Sequence, residues 1–235
     1  MLPIAILAGG LATRLGSVTQ DLPKCLIEIN GRPFIDWQID QLRSSGYREM
    51  VFCLSHKAKI IQDYLGDGSS FGIKINYSLD GRIQLGTGGA IKKALPLLGP
   101  KFAVIYGDSY LPINFQEIDK EFQDSGAPAM MTVYKNSGRY DSSNVCLKNG
   151  EIVHYKKGLV NSESEHIDYG LSYFNREVFL NPSLGNVFDL SDILSSLIIL
   201  RSLACYEVRN RFYEVGSHLG ISELSKYLGG NKIEL

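Results

Sequence analysis

An apolar run, Ile4-Ala5-Ile6-Leu7-Ala8, leads straight into Gly9-Gly10 and then Leu11-Ala12-Thr13-Arg14-Leu15, and Pro23-Lys24 follows ten residues after the arginine. Paired glycines let backbone amides come close to a ligand. A guanidinium and an ammonium nearby suit an anionic, phosphorylated one. Taken singly, Gly-Gly after a strand is a tight turn and Arg14 a solvated cation; strand, glycines, hydroxyl and two cations together point to phosphate binding. Two familiar phosphate loops are excluded by spacing. No G-x-x-x-x-G-K-[ST] is present, and Gly9-Gly10-Leu11-Ala12 does not supply G-x-G-x-x-G. A second apolar run, Phe102 to Tyr106, ends at Gly107-Asp108, and a glycine-rich segment, Gln84-Leu85-Gly86-Thr87-Gly88-Gly89, opens a helical pattern.

The elements that must position these residues alternate. Strand patterns at Pro3–Ala8, Met50–Leu54, Ile73–Tyr77, Phe102–Tyr106 and Ala129–Tyr134 are separated by helical patterns. The helices run from Arg32-Pro33 toward Gly46, over Lys57–Leu65, from Gly86 to Leu98 and over Phe115–Phe122. Such alternation predicts an α/β fold, a mostly parallel sheet covered on both faces by helices. Ligands of such sheets bind beyond the carboxyl ends of the strands, and Gly9-Gly10 and Gly107-Asp108 both fall there. In the second half, strands at Asn144–Leu147, Glu151–Tyr155 and Ile167–Phe174 read as a small antiparallel addition, with Asn149-Gly150 as a hairpin turn. A buried helix over Leu190–Leu200, capped by Asp189 or Ser191, follows. Strands at Leu203–Val208 and Phe212–Val215 and a helix from His218 to Leu228 close the chain. A single domain over 1–235 is expected, with halves of about 1–135 and about 136–235 that differ in pattern.

Composition narrows the class. With 235 residues, 44% hydrophobic and 21% charged, the chain buries a sizeable core. A net charge of -1 provides no basic field for nucleic acid or a membrane surface, so any anion site is local. No run reaches transmembrane length and the apolar start lacks a secretory pattern. Cys25, Cys53, Cys146 and Cys205 are scattered thiols, and His56, His154, His166 and His218 are equally dispersed. A cytoplasmic protein without a disulfide framework or zinc site is expected. The sequence leaves the oligomeric state open.

In combination these residues resemble the sugar-1-phosphate nucleotidyltransferases. The family pattern L-A-G-G-x-G-T-R-L stands here as Leu7 to Leu15, P-K as Pro23-Lys24, and the glycine segment as Leu85-Gly86-Thr87-Gly88-Gly89-Ala90. G-D after a strand stands as Tyr106-Gly107-Asp108-Ser109, N-x-G as Asp168-Tyr169-Gly170, and the final acid as Glu214-Val215-Gly216. The resemblance implies a Rossmann-like nucleotidyltransferase fold with a nucleotide-binding half of about 1–135 and a sugar-binding half of about 136–235, Mg²⁺, and transfer of a nucleoside monophosphate from an NTP to a sugar 1-phosphate. The short mannose- and heptose-1-phosphate guanylyltransferases are the most similar in pattern, with uridylyl, cytidylyl or thymidylyl transfer as alternatives.

The resemblance also implies roles. Leu7, Ala8, Gly9, Gly10 and Thr13 would cradle the triphosphate, and Arg14 would meet its β- and γ-phosphates. Lys24 would bridge the α-phosphate and the sugar phosphate. Asp108 and Glu214 would hold Mg²⁺, and Gln84, Gly86 and Thr87 would lie against the base. Gly107, Lys157 (or its neighbour Lys156), Asp168 and Gly170 would meet the sugar phosphate and the sugar. Three positions depart from the pattern: Ala12 replaces Gly, Asp168 replaces Asn, and Glu214 replaces Asp. Those departures motivate a second reading, a non-catalytic nucleotide-binding regulatory subunit. A glycosyltransferase on a similar sheet is disfavoured because Asp108-Ser109-Tyr110 lacks the second acid of D-x-D.

Overall fold

The central strands are apolar along nearly their whole length, and successive side chains enter opposite layers, which builds a three-layer molecule. A computed structural model describes residues 1–10, 22–156, 164–181 and 184–230. In chain order the elements are β1 (Ile4–Leu7), β2 (Glu28–Ile29), β3 (Arg32–Pro33), α1 (Phe34–Ser44), β4 (Glu49–Leu54), α2 (Ala58–Leu65), β5 (Lys74–Leu79), α3 (Gly86–Ala94), β6 (Lys101–Tyr106), β7 (Ser109–Tyr110) and α4 (Phe115–Ser125). They continue with β8 (Ala129–Lys135), β9 (Val145–Lys148), β10 (Glu151–Tyr155), β11 (His166–Asn175), α5 (Leu190–Ile199), β12 (Leu203–Val208), β13 (Tyr213–Glu214) and α6 (His218–Gly230). On one face of the sheet, Ile4, Ile6, Met50, Phe52, Ala103 and Ile105 pack with Ile35 and Ile39 of α1, Ile61 of α2, and Phe115 and Phe122 of α4. On the other face, Ala5, Val51, Cys53, Phe102 and Val104 pack with Ile91 and Ala94 of α3 and with Leu190, Leu194 and Leu197 of α5. Odd and even strand positions thus feed opposite layers, as a period of two requires.

β5, β4, β1 and β6 form a parallel block in that order. Beyond β6 the sheet continues through antiparallel β11 to β8, and then to β12, which runs parallel to β8. The sequence predicts β11 as part of a small antiparallel addition. It is instead a strand within the main sheet, paired on both edges with β6 and β8. Near-continuous burial along it, in a run such as Leu171-Ser172-Tyr173-Phe174, explains the placement, because only a strand covered on both faces tolerates that pattern. The addition reduces to the β9–β10 hairpin, which joins β11 at His166 and turns through Asn149 and Gly150, both at positive φ. The predicted strand Phe212–Val215 shortens to β13, which pairs with β7 outside the main sheet. A third apolar cluster, made of Ile27, Ile29, Phe34, Val215, Leu224 and Leu228, fastens α6 over β2.

Because β6, β1, β4 and β5 are parallel, their carboxyl ends lie side by side. The residues that follow them are Gly107-Asp108, Ala8-Gly9-Gly10, Ser55 and Asp80, in spatial order along one edge.

Candidate active site

That edge opens into a cavity of about 570 Å³, within the range of small-molecule sites, roughly 300–1,000 Å³. Its wall includes Leu7, Ala8, Gly9, Gly10, Lys24, Gln84, Gly86, Thr87, Gly107 and Asp108. Ten residues singled out from the sequence, spread over five elements and loops, therefore meet in one place. Thr13, Arg14 and Ala12 lie outside the described residues, as does Lys157.

Gly9 and Gly10 differ in what their missing side chains allow. A Cβ on Gly9 would sit 2.9 Å from the Ser55 backbone nitrogen, so the chain itself requires glycine there. A Cβ on Gly10 would meet nothing within 4 Å among the described residues. In the Gly86–Gly89 segment the glycines also admit another part of the chain. A Cβ on Gly88 would lie 2.3 Å from the Phe188 ring, and one on Gly89 would lie 2.3 Å from the Asn186 carbonyl oxygen. The close approach these glycines permit is to the segment before α5. The Gly88 and Gly89 amides donate to the Phe188 carbonyl at 3.0 and 3.1 Å. Thr87 is engaged in the same way: its hydroxyl donates to Asp189 at 3.2 Å and accepts from the Leu190 amide at 2.8 Å. Asp189 is the N-cap residue of α5, with Asp192 reciprocating to its amide at 3.0 Å.

Lys24 Nζ donates to Asp108 Oδ2 at 2.5 Å, and both side chains are partly exposed. Glu214 approaches the same cation. The point where a Gly216 Cβ would sit is 3.3 Å from Lys24 Nζ and 3.4 Å from Glu214 Oε1. β13 places Glu214 opposite Ser109, and the Val215 amide donates to the Asp108 carbonyl at 3.0 Å. Asp108 thus pairs with the lysine, and Glu214 stands across the β7–β13 pair from the same loop. The donor set is oxygen only and carries two carboxylates, which fits a hard cation that completes its shell with phosphate and water. No cluster of three or more potential ligands forms among the described residues.

The Asp108 loop is clamped from behind by Gln38 of α1, whose side chain is fully buried. Its Nε2 donates to the Tyr106 carbonyl at 2.9 Å and to the Ser109 carbonyl at 2.8 Å, bracketing Gly107-Asp108. The helical period of α1 marks this glutamine, which shares one face with Phe34, Ile35 and Leu42, although it was not among the sequence candidates.

Asp168, Gly170 and Glu214 are not part of the cavity wall. Asp168 Oδ2 accepts from the Tyr155 hydroxyl at 3.1 Å, and its Oδ1 accepts from the Gly170 amide at 3.0 Å. Gly170 has φ +94° where the β11–β8 register shifts, and it abuts the Ser109 side chain. A bulge there re-aims the strand. Tyr106 does line the cavity, and its phenol feels the Asp168 carboxylate. Burial, then the Asp168 and Asp108 carboxylates, hold the Tyr106 phenol well above the usual range, so it stays a neutral donor. Burial first and Asp168 next raise Tyr155 likewise.

Ser55, Asp80, Asp189, Val187, Cys25 and Cys53 also line the cavity and were not among the sequence candidates. Ser55 and Asp80 follow apolar strands directly, so the strand-end rule that marks Gly9 and Asp108 marks them too. Burial pushes the Cys25 and Cys53 thiols up to about 12. Neither is a nucleophile at neutral pH.

Residues 4–185 match the nucleotidyl transferase family. Over 194 residues the chain is 30% identical to D-glycero-alpha-D-manno-heptose 1-phosphate guanylyltransferase of Campylobacter jejuni, covering 80% of this chain and 83% of that one. Among solved structures, the inositol-1-phosphate CTP transferase from T. maritima superposes with a TM-score of 0.83 at 20% identity, covering 100% and 98% of the two chains. HddC from Yersinia pseudotuberculosis complexed with GMP-PN superposes at 0.78 with 24% identity, covering 97% and 100%. Sequence match, sheet topology and the residues gathered at the strand ends agree: this chain belongs to the nucleotidyl transferase family, as a sugar-1-phosphate nucleotidyltransferase.

Proposed function

We propose that the chain transfers a guanylyl group from GTP to a heptose- or mannose-type sugar 1-phosphate. One observation carries the reading: glycine amides, a lysine and a carboxylate share a single cavity at the carboxyl edge of a parallel sheet. The guanylyltransferase relative and the neighbour holding GMP-PN support GTP and the heptose. The reaction is attack of a sugar-1-phosphate oxygen on the α-phosphorus. A new P–O bond forms, the bond from the α-phosphorus to the bridging oxygen breaks, and pyrophosphate leaves with its electron pair. The nucleophile is already an anion, so the task is to bring two anions together in line, and positioning plus charge neutralisation supply the rate.

In this reading Lys24 lies between the two reacting phosphates as a point charge. Arg14 takes the β- and γ-phosphates, and Lys157 the sugar phosphate. The Gly9-Gly10 amides hold the triphosphate, and Thr13 stands beside them. Gln84, Gly86 and Thr87 form the wall against the base, while Gly107, Asp168 and Gly170 meet the sugar side. Asp108 and Glu214 would hold Mg²⁺, which when bound neutralises phosphate charge at the reacting centre. Lys24 and Asp108 pair with each other in the free protein, so substrate binding exchanges that pair for a lysine–phosphate contact. The whole chain acts as one domain, in the cytoplasm, in supply of nucleotide sugars for polysaccharide.

The test is a matrix of GTP, CTP, UTP and dTTP against a panel of sugar 1-phosphates with Mg²⁺, read as pyrophosphate release. Release is expected with GTP and a heptose or mannose 1-phosphate. Release from no combination refutes the reading, and binding of nucleotide without release supports the regulatory-subunit alternative.

A further inference from the structure

The cavity wall has two separate supports. Gly9, Gly107 and Asp108 stand at the sheet edge, where Gln38 braces the Asp108 loop. Gln84, Gly86, Thr87, Val187 and Asp189 belong instead to the start of α3 and the segment before α5, outside the sheet. The first amides of a helix find no partner within it, and α3 has no side-chain cap of its own, since Leu85 holds its N-cap position. Its partners come from about a hundred residues away. The Thr87 amide donates to Asp189 Oδ1 at 3.3 Å, and the Gly88 and Gly89 amides donate to the Phe188 carbonyl. α5 is capped in return. Its first amide, that of Leu190, donates to the Thr87 hydroxyl at 2.8 Å, and that hydroxyl donates to Asp189 Oδ1 at 3.2 Å. The Phe188 amide donates to the Leu85 carbonyl at 3.0 Å. Two helix N-termini thus cap one another, and Asp189 Oδ1 is an acceptor on which both Thr87 donors converge.

We infer that Asp189 is a positioning residue for the nucleotide: through Thr87 it fixes the start of α3, and with it the wall formed by Gln84, Gly86 and Thr87, relative to the sheet edge. The inference rests on the nucleotidyl-transfer reading and adds to it a residue that acts through its neighbours. Gly9, Lys24 and Asp108 do not depend on this junction. Loosening it changes how tightly the nucleotide is held and leaves the reacting centre as it was. That is a loss of binding shared by ground state and transition state, which raises KM and spares kcat. The two Thr87 bonds lie in an open site, where each contributes at the low end for a hydrogen bond, so losing both weakens nucleotide binding about fivefold.

Three variants separate this role from its rivals. Asp189→Gly removes the carboxylate at little cost to a helix N-cap, and Asp189→Asn keeps both the acceptor oxygen and a favoured cap while dropping the charge. Asp192→Ala removes the acceptor for the Asp189 amide, at 3.0 Å, and leaves Thr87 its partner. The experiment is steady-state pyrophosphate release by the full chain with Mg²⁺, using the pair that the wild type turns over fastest among GTP, CTP, UTP and dTTP and a panel of sugar 1-phosphates, alongside thermal denaturation. D189G is expected to raise KM for the nucleotide about fivefold, with kcat and KM for the sugar 1-phosphate as in the wild type. D189N is expected to restore the nucleotide KM, and D192A to lower Tm with that KM unchanged. Four outcomes overturn the inference while nucleotidyl transfer stands. A wild-type nucleotide KM in D189G would leave the junction without a role in binding. A fall in kcat at constant KM would move Asp189 to the reacting centre. A D189N defect equal to that of D189G would assign the effect to the charge itself. A D192A rise in KM equal to that of D189G would reduce it to loss of the α5 cap. Pyrophosphate release from no pair with the wild type refutes the underlying reading itself.

Discussion

Gln38 offers a perturbation that reaches the site from outside its wall. It is fully buried, and its one amide nitrogen satisfies two backbone carbonyls, at 2.9 and 2.8 Å, on either side of Gly107-Asp108. The substitution Gln38→Met keeps the length and apolar stem of the side chain but removes both bonds. Each buried hydrogen bond contributes about 0.5–1.5 kcal/mol net, and a carbonyl left without a partner adds further cost. An offset comes from Oε1, which is buried with no protein partner, so its removal relieves an unpaired acceptor. The balance is a destabilisation of about 2 kcal/mol, which in a chain of this size lowers Tm by about 4–8 °C. That leaves the fold intact at 25 °C. Turnover should suffer more than stability, because a misplacement of about 1 Å at a positioning group costs on the order of a hundredfold. The assay is pyrophosphate release at 25 °C with titrated Mg²⁺, alongside thermal denaturation. A fall in kcat of at least about tenfold with a raised Mg²⁺ requirement is expected. Wild-type turnover and Mg²⁺ dependence, with only the Tm lowered, would show that the clamp is structural and that the positioning argument is wrong.

Three further outcomes follow from the geometry. Lys24→Ala and Asp108→Ala should each lower kcat by about 10²–10³-fold while costing about 1 kcal/mol or less in stability, since the pair is partly exposed. Steady-state kinetics with near-normal turnover in both would remove their assigned roles. Gly89→Ala should destabilise by about 1–3 kcal/mol, because its Cβ would sit 2.3 Å from the Asn186 carbonyl oxygen; urea denaturation at wild-type stability would contradict the packing of α3 against that segment. Cys25 and Cys53 sit at about 12 in the folded chain against an ordinary 9.0. Above pH 9 the unfolded chain releases protons that the folded chain keeps, so stability falls as pH rises from 9 toward 12. Urea midpoints at about pH 7.5 and about pH 10 that coincide in the wild type would contradict burial of these thiols.

Most of the fold is legible because its strands and helices obey clear periods. Ile4 to Leu7 is a continuous apolar strand, and α4 places Phe115, Ile118 and Phe122 on one buried face. The misreading of β11 has a physical origin. His166, Asp168 and Ser172 interrupt its apolar run, and sequence alone does not tell a strand at a hairpin edge from one inside a sheet. The phosphate end of the site was legible because glycine and charge follow apolar strands at Gly9 and Asp108. The other wall was less so. Gln84, Gly86 and Thr87 read as base contacts and do line the cavity, but the same segment also bonds Phe188 and Asp189, about a hundred residues away in sequence, which no local pattern announces. Gln38 was half legible: its place on the apolar stripe of α1 marks a buried polar residue, but the carbonyls it clamps are known only once the loop is folded against it. Asp80 was readable in principle, as the residue after β5, but no glycine marks it.

The central claim is that a sugar 1-phosphate attacks the α-phosphorus of GTP. Its most direct test follows the phosphorus atoms: the wild-type chain is incubated with heptose 1-phosphate, Mg²⁺ and GTP labelled either at the α- or at the γ-phosphate, and the products are separated. The account predicts α-label in the sugar nucleotide and γ-label in pyrophosphate. Label from the γ-position on the sugar, or none transferred from the α-position, would contradict it.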